Sequence, residues 1–454
     1  LPELEKSSRG TWNTKLGFIL AAAGSAVGLG NIWGFPTQVA DNGGAAFILI
    51  YLVCCLVVGF PVMIAEFTIG RRTQKNPVGA FKALGKGFLA PLIGYWGVLC
   101  GVMILSFYLV ISGWTLGYVL EEVFYFFGHE SIASTLGDLG HGLKNAVFSV
   151  IFMLLTVLII TGGVSQGIER ATKALMPILL ILLIALIVYI FTLDGSMEGL
   201  IMYINPDFST VDGDLILSAL GQAFFSLSLG MGALITYGSY LNKEQNLVES
   251  AAYVTLTDVG IAFIAGLLVI PAMFVAQYGG TEIFNPETGA LHSSVTLVFD
   301  VLPELFHQIG GVLGMIIGIT FFILLGLAAL TSSISLLEVP VSYVIDEFNV
   351  RRKKAAWGVG SLVAIIAIII SFDISLIDYF VYIFNEIGLP LGGLMICLFL
   401  GYFWKAENAL LEIEQGFEGV ESHWFAKVWT FFIRYICPVL IGLVLITTIY
   451  NIIS

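Results

Sequence analysis

Charge is what this sequence has least of. Only 11% of its 454 residues are Asp, Glu, Lys or Arg, where a soluble domain carries about 25%. A chain so poor in charge cannot keep its whole surface in water. Cysteine is scarce as well: Cys54, Cys55, Cys100, Cys397 and Cys437 all fall in apolar runs, so no disulfide framework is indicated. The five histidines lack the close spacing of a metal site, and there is no nucleophile elbow, phosphate-binding loop or nucleotide signature. These absences point away from an enzyme and from nucleic acid, and nothing calls for an obligate protein partner.

What abounds is apolar surface, with 58% hydrophobic residues and a mean hydropathy of +0.97. Runs long enough to cross a bilayer, about 20 residues, occupy eleven windows: 15–40, 44–70, 90–126, 145–162, 170–193, 214–241, 247–279, 309–346, 355–372, 374–403 and 427–453. The first begins at Lys15 without a small-residue cleavage pattern and reads as a span, not a signal peptide. The expected class is an all-α polytopic protein of the lipid bilayer. Basic residues cluster at 6–15, 71–86, 170–173, 243 and 351–354, whereas the long loops 194–214 and 281–308 contain none. Positive charge stays inside, which predicts a multi-pass protein of the cell membrane with its N-terminus in the cytoplasm. Eleven spans then put the C-terminus outside.

Two spans carry residues unsuited to a helix. Span 1 contains "AAAGSAVGLGNIWGFP", with four glycines and a proline, and span 6 reads "GQAFFSLSLGMGALITYGSY". Glycine costs about 1 kcal/mol against alanine inside a helix. Either one alone suits close helix packing through small residues. A pair of interrupted spans, first of five and first of the next five, points instead to a central site between inverted repeats. Five is odd, so the second set of five is inverted relative to the first. The break in span 1 also suggests an anion: after Gly28 a new helix begins, and the free amides of Leu29 and Gly30 stand at its positive end.

"GSAVGLGNIWGFP", "SLSLGMG" and "ALTSSIS" resemble the first-, sixth- and eighth-span signatures of the neurotransmitter:sodium symporter family. The likeness runs from Arg9 and Trp12 to span 10. It implies the LeuT fold, a 5+5 inverted repeat with broken helices 1 and 6 plus an eleventh span. The chain then divides into a cytoplasmic tail (1–14), a first repeat (15–193), an external loop (194–213), a second repeat (214–403), a cytoplasmic loop (404–426) and a last helix (427–454).

The resemblance also implies roles. One sodium site would take the carbonyl of Ala26, the side chains of Asn31, Ser226 and Asp258, and the substrate carboxylate; a second would take the carbonyls of Gly24, Val27 and Ala328 with the hydroxyls of Thr331 and Ser332. Taken alone, the hydroxyl triplet 331–333 suits ordinary back-bonding to helix carbonyls. Tyr108 matches the tyrosine that meets a substrate carboxylate beside Leu29 and Gly30, with Ala26 and Ser226 at the polar end. Gly28 stands where amine transporters carry an aspartate, which favours an α-amino acid. Ile104, Phe225, Ser228, Met231, Leu336 and Ser332 would line an apolar side-chain pocket. Asp258 replaces a common asparagine, so its fixed charge would make chloride unnecessary, although Tyr51, Gln222 and Ser226 match the chloride site. Glu66 would tie down amides of broken span 6. Arg9 and Asp346 match the inner gate, with Trp12 and Tyr240 nearby. The outer gate has Gly34 in place of its arginine, leaving Trp33 and Asp378. Gly167 and Pro177 bracket a stretch of span 5 expected to unwind for sodium release.

The sequence thus predicts a symporter that imports hydrophobic L-amino acids with two sodium ions. A proton-coupled amino acid transporter of the same fold is the alternative, and a membrane receptor or channel is the more distant one. Thr331, Ser332 and the lack of lysine in either broken stretch, 21–36 and 221–240, weigh against proton coupling.

Overall fold

The computed structural model describes residues 10–283 and 297–453, and every regular element among them is helical. Among the described residues nine helices are long and apolar enough to cross a membrane: Ala45–Thr73, Ala90–Phe126, Gly142–Thr161, Val164–Ile190, Leu247–Tyr278, Gly311–Phe348, Arg352–Phe372, Ser375–Phe403 and Trp424–Tyr450. These are spans 2 to 5 and 7 to 11. Span 1 is a pair, Lys15–Ala26 and Gly30–Asp41, bent by 53°, which makes ten. The eleventh expected span is the second broken one. Its halves, Gly213–Ser226 and Ala233–Gly238, have 14 and 6 residues, and neither half is long enough to cross alone.

Polar caps set the helix starts. Thr14 Oγ1 accepts from Gly17 N at 2.9 Å, Asp212 from Leu215 N at 2.8 Å, and Asn246 from Glu249 N at 3.0 Å. Each such cap contributes about 1 kcal/mol. Span 3 is the central post: 78% of its most apolar window is buried, against 28% for spans 5 and 11. On span 5, Ile178, Ile181, Ile184 and Val188 are exposed at helical spacing, an apolar stripe suited to lipid.

The breaks are built into the backbone. Val27 leaves the helical region at φ −71°, ψ 101°. In span 6, Ser228, Gly230 and Gly232 take φ of 54°, 81° and 78°, a region L-residues avoid. At Gly230 the constraint is doubled, because a Cβ there would stand 2.2 Å from the carbonyl oxygen of Leu389 in span 10. Glu66 Oε1 accepts the Gly230 N–H at 2.8 Å, the tie the sequence suggested. Unsatisfied backbone at this depth costs several kcal/mol, so a buried acceptor here stabilises the break.

The basic clusters after spans 2 and 6 meet on one face. Glu412, buried in the helix Ala406–Ile413, pairs with Arg71 Nε at 2.9 Å and Lys243 Nζ at 2.9 Å. The segments after spans 2, 6 and 10 are therefore joined, by the attraction of two basic groups to one buried carboxylate.

Candidate functional site

The two breaks face each other through the carbonyl of Ser25. Ser228 Oγ donates to it at 2.9 Å and Ser332 Oγ at 3.2 Å. Around this point Ala26, Gly28, Gly30, Ile104, Tyr108, Phe225, Ser228, Met231, Ser332 and Leu336 enclose a cavity of about 20 Å³. All six side-chain positions expected from the sequence are among them. The free space would hold about one water, so an amino acid side chain must displace Met231 or Phe225 to enter. Tyr108 Oη accepts from Leu29 N at 3.2 Å, which places a phenol oxygen at the amide that would meet an anion. Gly28 leaves no room for a side chain: a Cβ would lie 2.3 Å from Ser332 Oγ and 2.9 Å from Tyr108 Oη.

Beside this cavity lies a dense polar knot. Asn31 Nδ2 donates to Asp258 Oδ1 at 2.8 Å and approaches Ser226 Oγ at 3.2 Å. Ser226 Oγ donates to Asp258 Oδ2 at 2.8 Å, and Tyr51 Oη lies 2.9 Å from Ser226 Oγ and 3.3 Å from Asp258 Oδ2. Asn31 Oδ1 accepts from Gly28 N at 3.0 Å and so already stands at the break. Asn31, Ser226 and Asp258 are at most 1% exposed. Oxygen donors around a buried carboxylate form a hard-cation environment. Gln222 turns away from the knot and donates to Gly30 O at 2.9 Å.

The second expected cluster is partly assembled. Thr331 Oγ1 lies 3.2 Å from Val27 O and 2.8 Å from Ala328 O. A Cβ placed on Gly24 would sit 3.4 Å from Thr331 Cβ, so four of the five expected residues converge. Ser332 differs, because its hydroxyl serves the Ser25 carbonyl between the breaks. Ser333 Oγ takes the ordinary role, back-bonding to Ala329 O at 2.8 Å. The hydroxyl triplet therefore splits three ways. The Ser25 carbonyl is a junction that sequence reasoning missed; only its place between Gly24 and Ala26 hinted at it.

Towards the start of span 6 a second cavity, about 310 Å³, is lined by Gln38, Asp214, Gln222, Phe225, Asn385 and Glu386 among others. Phe225 borders both cavities and forms the partition between them. At Gly34 a Cβ would stand 3.6 Å from Gln222 Oε1, so Gln222 borders the place of the missing arginine. Trp33 packs edge-on against Phe299, centroids 5.9 Å apart. Asp378 is exposed on Ser375–Phe380 and makes no ion pair among the described residues, so it is not brought to Trp33 by any such contact. Asn385 and Glu386, not singled out from sequence, are the span 10 polar groups at this cavity.

On the opposite side Trp12 closes the bundle. Its indole donates to Tyr237 O at 3.0 Å, and its ring meets Tyr237 and Tyr240 edge-on. Tyr240 Oη donates to buried Glu338 at 2.5 Å, and Glu338 also pairs with Arg352. Asp346 accepts from Asn76 N at 2.9 Å and from its side chain at 3.0 Å. Arg9, its expected gate partner, lies outside the described residues. In span 5 the stretch 167–177 is fully wound, with Gly167 in the wide turn Val164–Glu169 and Pro177 inside Arg170–Ile190. Glu169 is buried here. It accepts from Asn13 N at 2.8 Å, Thr14 Oγ1 at 2.9 Å and Lys173 Nζ at 2.6 Å. Thr172 and Met176 reach Gly24, 3.6 Å and 3.4 Å from its would-be Cβ, so this stretch covers the second cluster.

Paired helix breaks at the bundle centre, lined by oxygen donors and closed towards both faces by aromatic groups, define a secondary transporter, not an enzyme. The family model for the sodium:neurotransmitter symporter family matches residues 9–130 and 121–454. The chain belongs to that family. It is 34% identical over 462 residues to the sodium-dependent transporter YhdH of Bacillus subtilis, covering 96% of this chain and 97% of that one. A sodium-dependent transporter of Methanocaldococcus jannaschii is 36% identical, covering 82% and 78% of the two chains. The crystal structure of MhsT in complex with L-phenylalanine superposes with a TM-score of 0.84 at 41% identity, over 97% of this chain and all of MhsT. The protein is thus a multi-span, sodium-coupled membrane transporter of a small-molecule substrate, with the LeuT fold.

Proposed function

We propose that this transporter imports hydrophobic L-amino acids, aliphatic and aromatic, together with two sodium ions. The observation that carries this reading is the junction at Gly28: no protein carboxylate can fit there, while Leu29 N and Tyr108 Oη stand ready for one. The substrate brings its own carboxylate, and Met231, Ile104 and Leu336 offer its side chain an apolar, uncharged lining. Met is unbranched and adapts to different shapes. The solved relative, MhsT, holds L-phenylalanine, which supports the same class of ligand.

Asn31, Ser226, Asp258 and the Ala26 carbonyl form the first sodium site, completed by the substrate. Val27, Ala328, Thr331 and Gly24 form the second, with Ser332 turning from Ser25 to join it. Tyr51 and Ser226 are already engaged with the Asp258 carboxylate, so a fixed anion fills the role of chloride. The N-terminus lies in the cytoplasm and the two repeats rock about the central site. Each sodium charge moving inward releases about 2.3 kcal/mol per 100 mV. Two ions sustain a gradient of roughly 2,000-fold, at 1.4 kcal/mol per decade.

The test is uptake into proteoliposomes, with sodium, chloride and pH varied independently. Concentrative uptake of leucine, valine, phenylalanine and tryptophan that needs inward sodium supports the proposal. Accumulation driven by a proton gradient without sodium would overturn it in favour of proton coupling, and uptake that never exceeds equilibrium would favour a channel.

A further inference from the structure

Glu121 and Glu122 are adjacent in span 3, close to its end at Phe126, and both are buried, at 6% and 1% exposure. Successive side chains on a helix point about 100° apart, yet both carboxylates reach the same partner, His307 on Leu302–Ile309. His307 Nε2 lies 3.4 Å from Glu121 Oε1 and 3.7 Å from Glu122 Oε2. Donor atoms of all three residues lie within 4.8 Å of one another. Among the described residues, Glu121 Oε2, Glu122 Oε1 and His307 Nε2 have no hydrogen-bond partner, and no lysine or arginine pairs with either glutamate. One imidazolium would balance only one of two buried carboxylates, and a buried unpaired charge costs several kcal/mol.

The surroundings hold this arrangement in place. Tyr125, one turn beyond Glu121, stacks on the His307 ring with centroids 3.5 Å apart and planes 9° from parallel. Gly318 of span 8 makes the room for Glu122, since a Cβ there would stand 2.3 Å from its Cδ. His307 is a fifth exposed, which leaves a way in from solvent.

We propose that Glu121, Glu122 and His307 bind a divalent transition-metal ion of the zinc class. Imidazole nitrogen and carboxylate oxygen are both zinc ligands, with bonds of about 2.0–2.2 Å, and three protein ligands leave the fourth tetrahedral position open. Donors at that radius in a tetrahedron stand about 3.4 Å apart, close to the 3.4 and 3.7 Å that separate His307 Nε2 from the two carboxylates. Magnesium and calcium want six or more oxygen ligands, and this site offers fewer.

The bound ion would act on transport through the segment that carries His307. Leu297–Val301 runs directly into Leu302–Ile309. Its Phe299 packs on Trp33 of span 1 and Trp114 of span 3, and Tyr118 Oη donates to its carbonyl at 2.5 Å. A metal bridging His307 to span 3 clamps this segment over Trp33, and the second half of span 1 can no longer swing outward. Zinc added outside therefore slows the cycle. This consequence rests on the transport reading and its orientation; binding itself does not.

The experiment titrates zinc chloride into the purified full-length chain, free of affinity tags and stripped of metal, by calorimetry in detergent. One site per chain is expected, weakened about tenfold or more by His307→Ala or Glu122→Gln, on the scale that lost coordination usually costs, while magnesium and calcium chloride give no heat. Should Glu122→Gln fail to fold, His307→Ala with an unchanged metal-free melting temperature carries the comparison. Zinc binding equal in wild type and His307→Ala, or none in wild type, overturns the site. Sodium-driven uptake by the wild type should fall several-fold with external zinc and be insensitive in His307→Ala. Binding without inhibition would refute the clamp, whereas absent uptake under all conditions would refute the transport reading and leave the metal site standing.

Discussion

The carboxylate of Glu169 accepts the backbone N–H of Asn13 at 2.8 Å, across 156 residues of sequence. Through it the segment that positions Trp12 is tied to the stretch of span 5 that covers Thr331 and Gly24. The proposed unwinding of span 5 would break this tie and release the N-terminal segment with it.

Hydrogen bonds to a charged group contribute about 1.5–3 kcal/mol. Glu169→Gln should therefore shift the opening equilibrium by about 10- to 100-fold, read as faster hydrogen exchange across 164–177. Pro177 lacks the N–H that would bond residue 173, and Pro177→Ala should restore it, slow turnover and leave outward-facing substrate affinity nearly unchanged. Equal exchange in wild type and Glu169→Gln, with unaltered turnover in Pro177→Ala, would reject both roles.

On the proposed reading, sodium coupling depends on the knot around Asp258. Asn31→Ala or Asp258→Ala should abolish sodium-driven accumulation. Thr331→Ala combined with Ser332→Ala should weaken sodium binding even without substrate, measured by sodium-dependent thermal stabilisation. Wild-type behaviour in both sets would rule out the assignment.

Chloride should be dispensable, because Tyr51 and Ser226 already engage the Asp258 carboxylate. Replacing chloride by gluconate is expected to leave the uptake rate unchanged. A several-fold loss of rate would contradict the built-in anion.

Met231 borders a cavity of about 20 Å³ and must move to admit a large side chain. Met231→Phe should penalise tryptophan uptake more than that of valine or leucine, read as the ratio of kcat/KM values. Equal losses would show that Met231 does not set size selection.

Gly28 is limited by contact with Ser332 Oγ at 2.3 Å from its would-be Cβ. Overpacking of this kind costs about 1–3 kcal/mol. Gly28→Ala should lower substrate affinity about tenfold, and Ser332→Ala in the same chain should recover part of it. Substrate binding by Gly28→Ala equal to wild type would refute the steric argument.

The sequence by itself determined the number of spans and the two breaks, and the family resemblance supplied the side-chain lining of the central cavity. Spans and breaks are local properties: apolar runs of bilayer length and glycines that leave the helical region. Its eleven windows correspond to nine long helices and two broken ones, and the exception in length, span 6, is where three residues take positive φ. Partner choice was beyond its reach. Only the tertiary structure decided that Ser332 serves Ser25 while Thr331 turns to Val27, that Glu169 holds Asn13, and that Asn385 and Glu386 line the larger cavity in place of Asp378. Only packing brings His307 to Glu121 and Glu122, although chain spacing shows no metal pattern among the histidines. A buried polar group is stabilised by whichever complementary atom the packed helices bring within about 3 Å, and that atom commonly lies more than a hundred residues away.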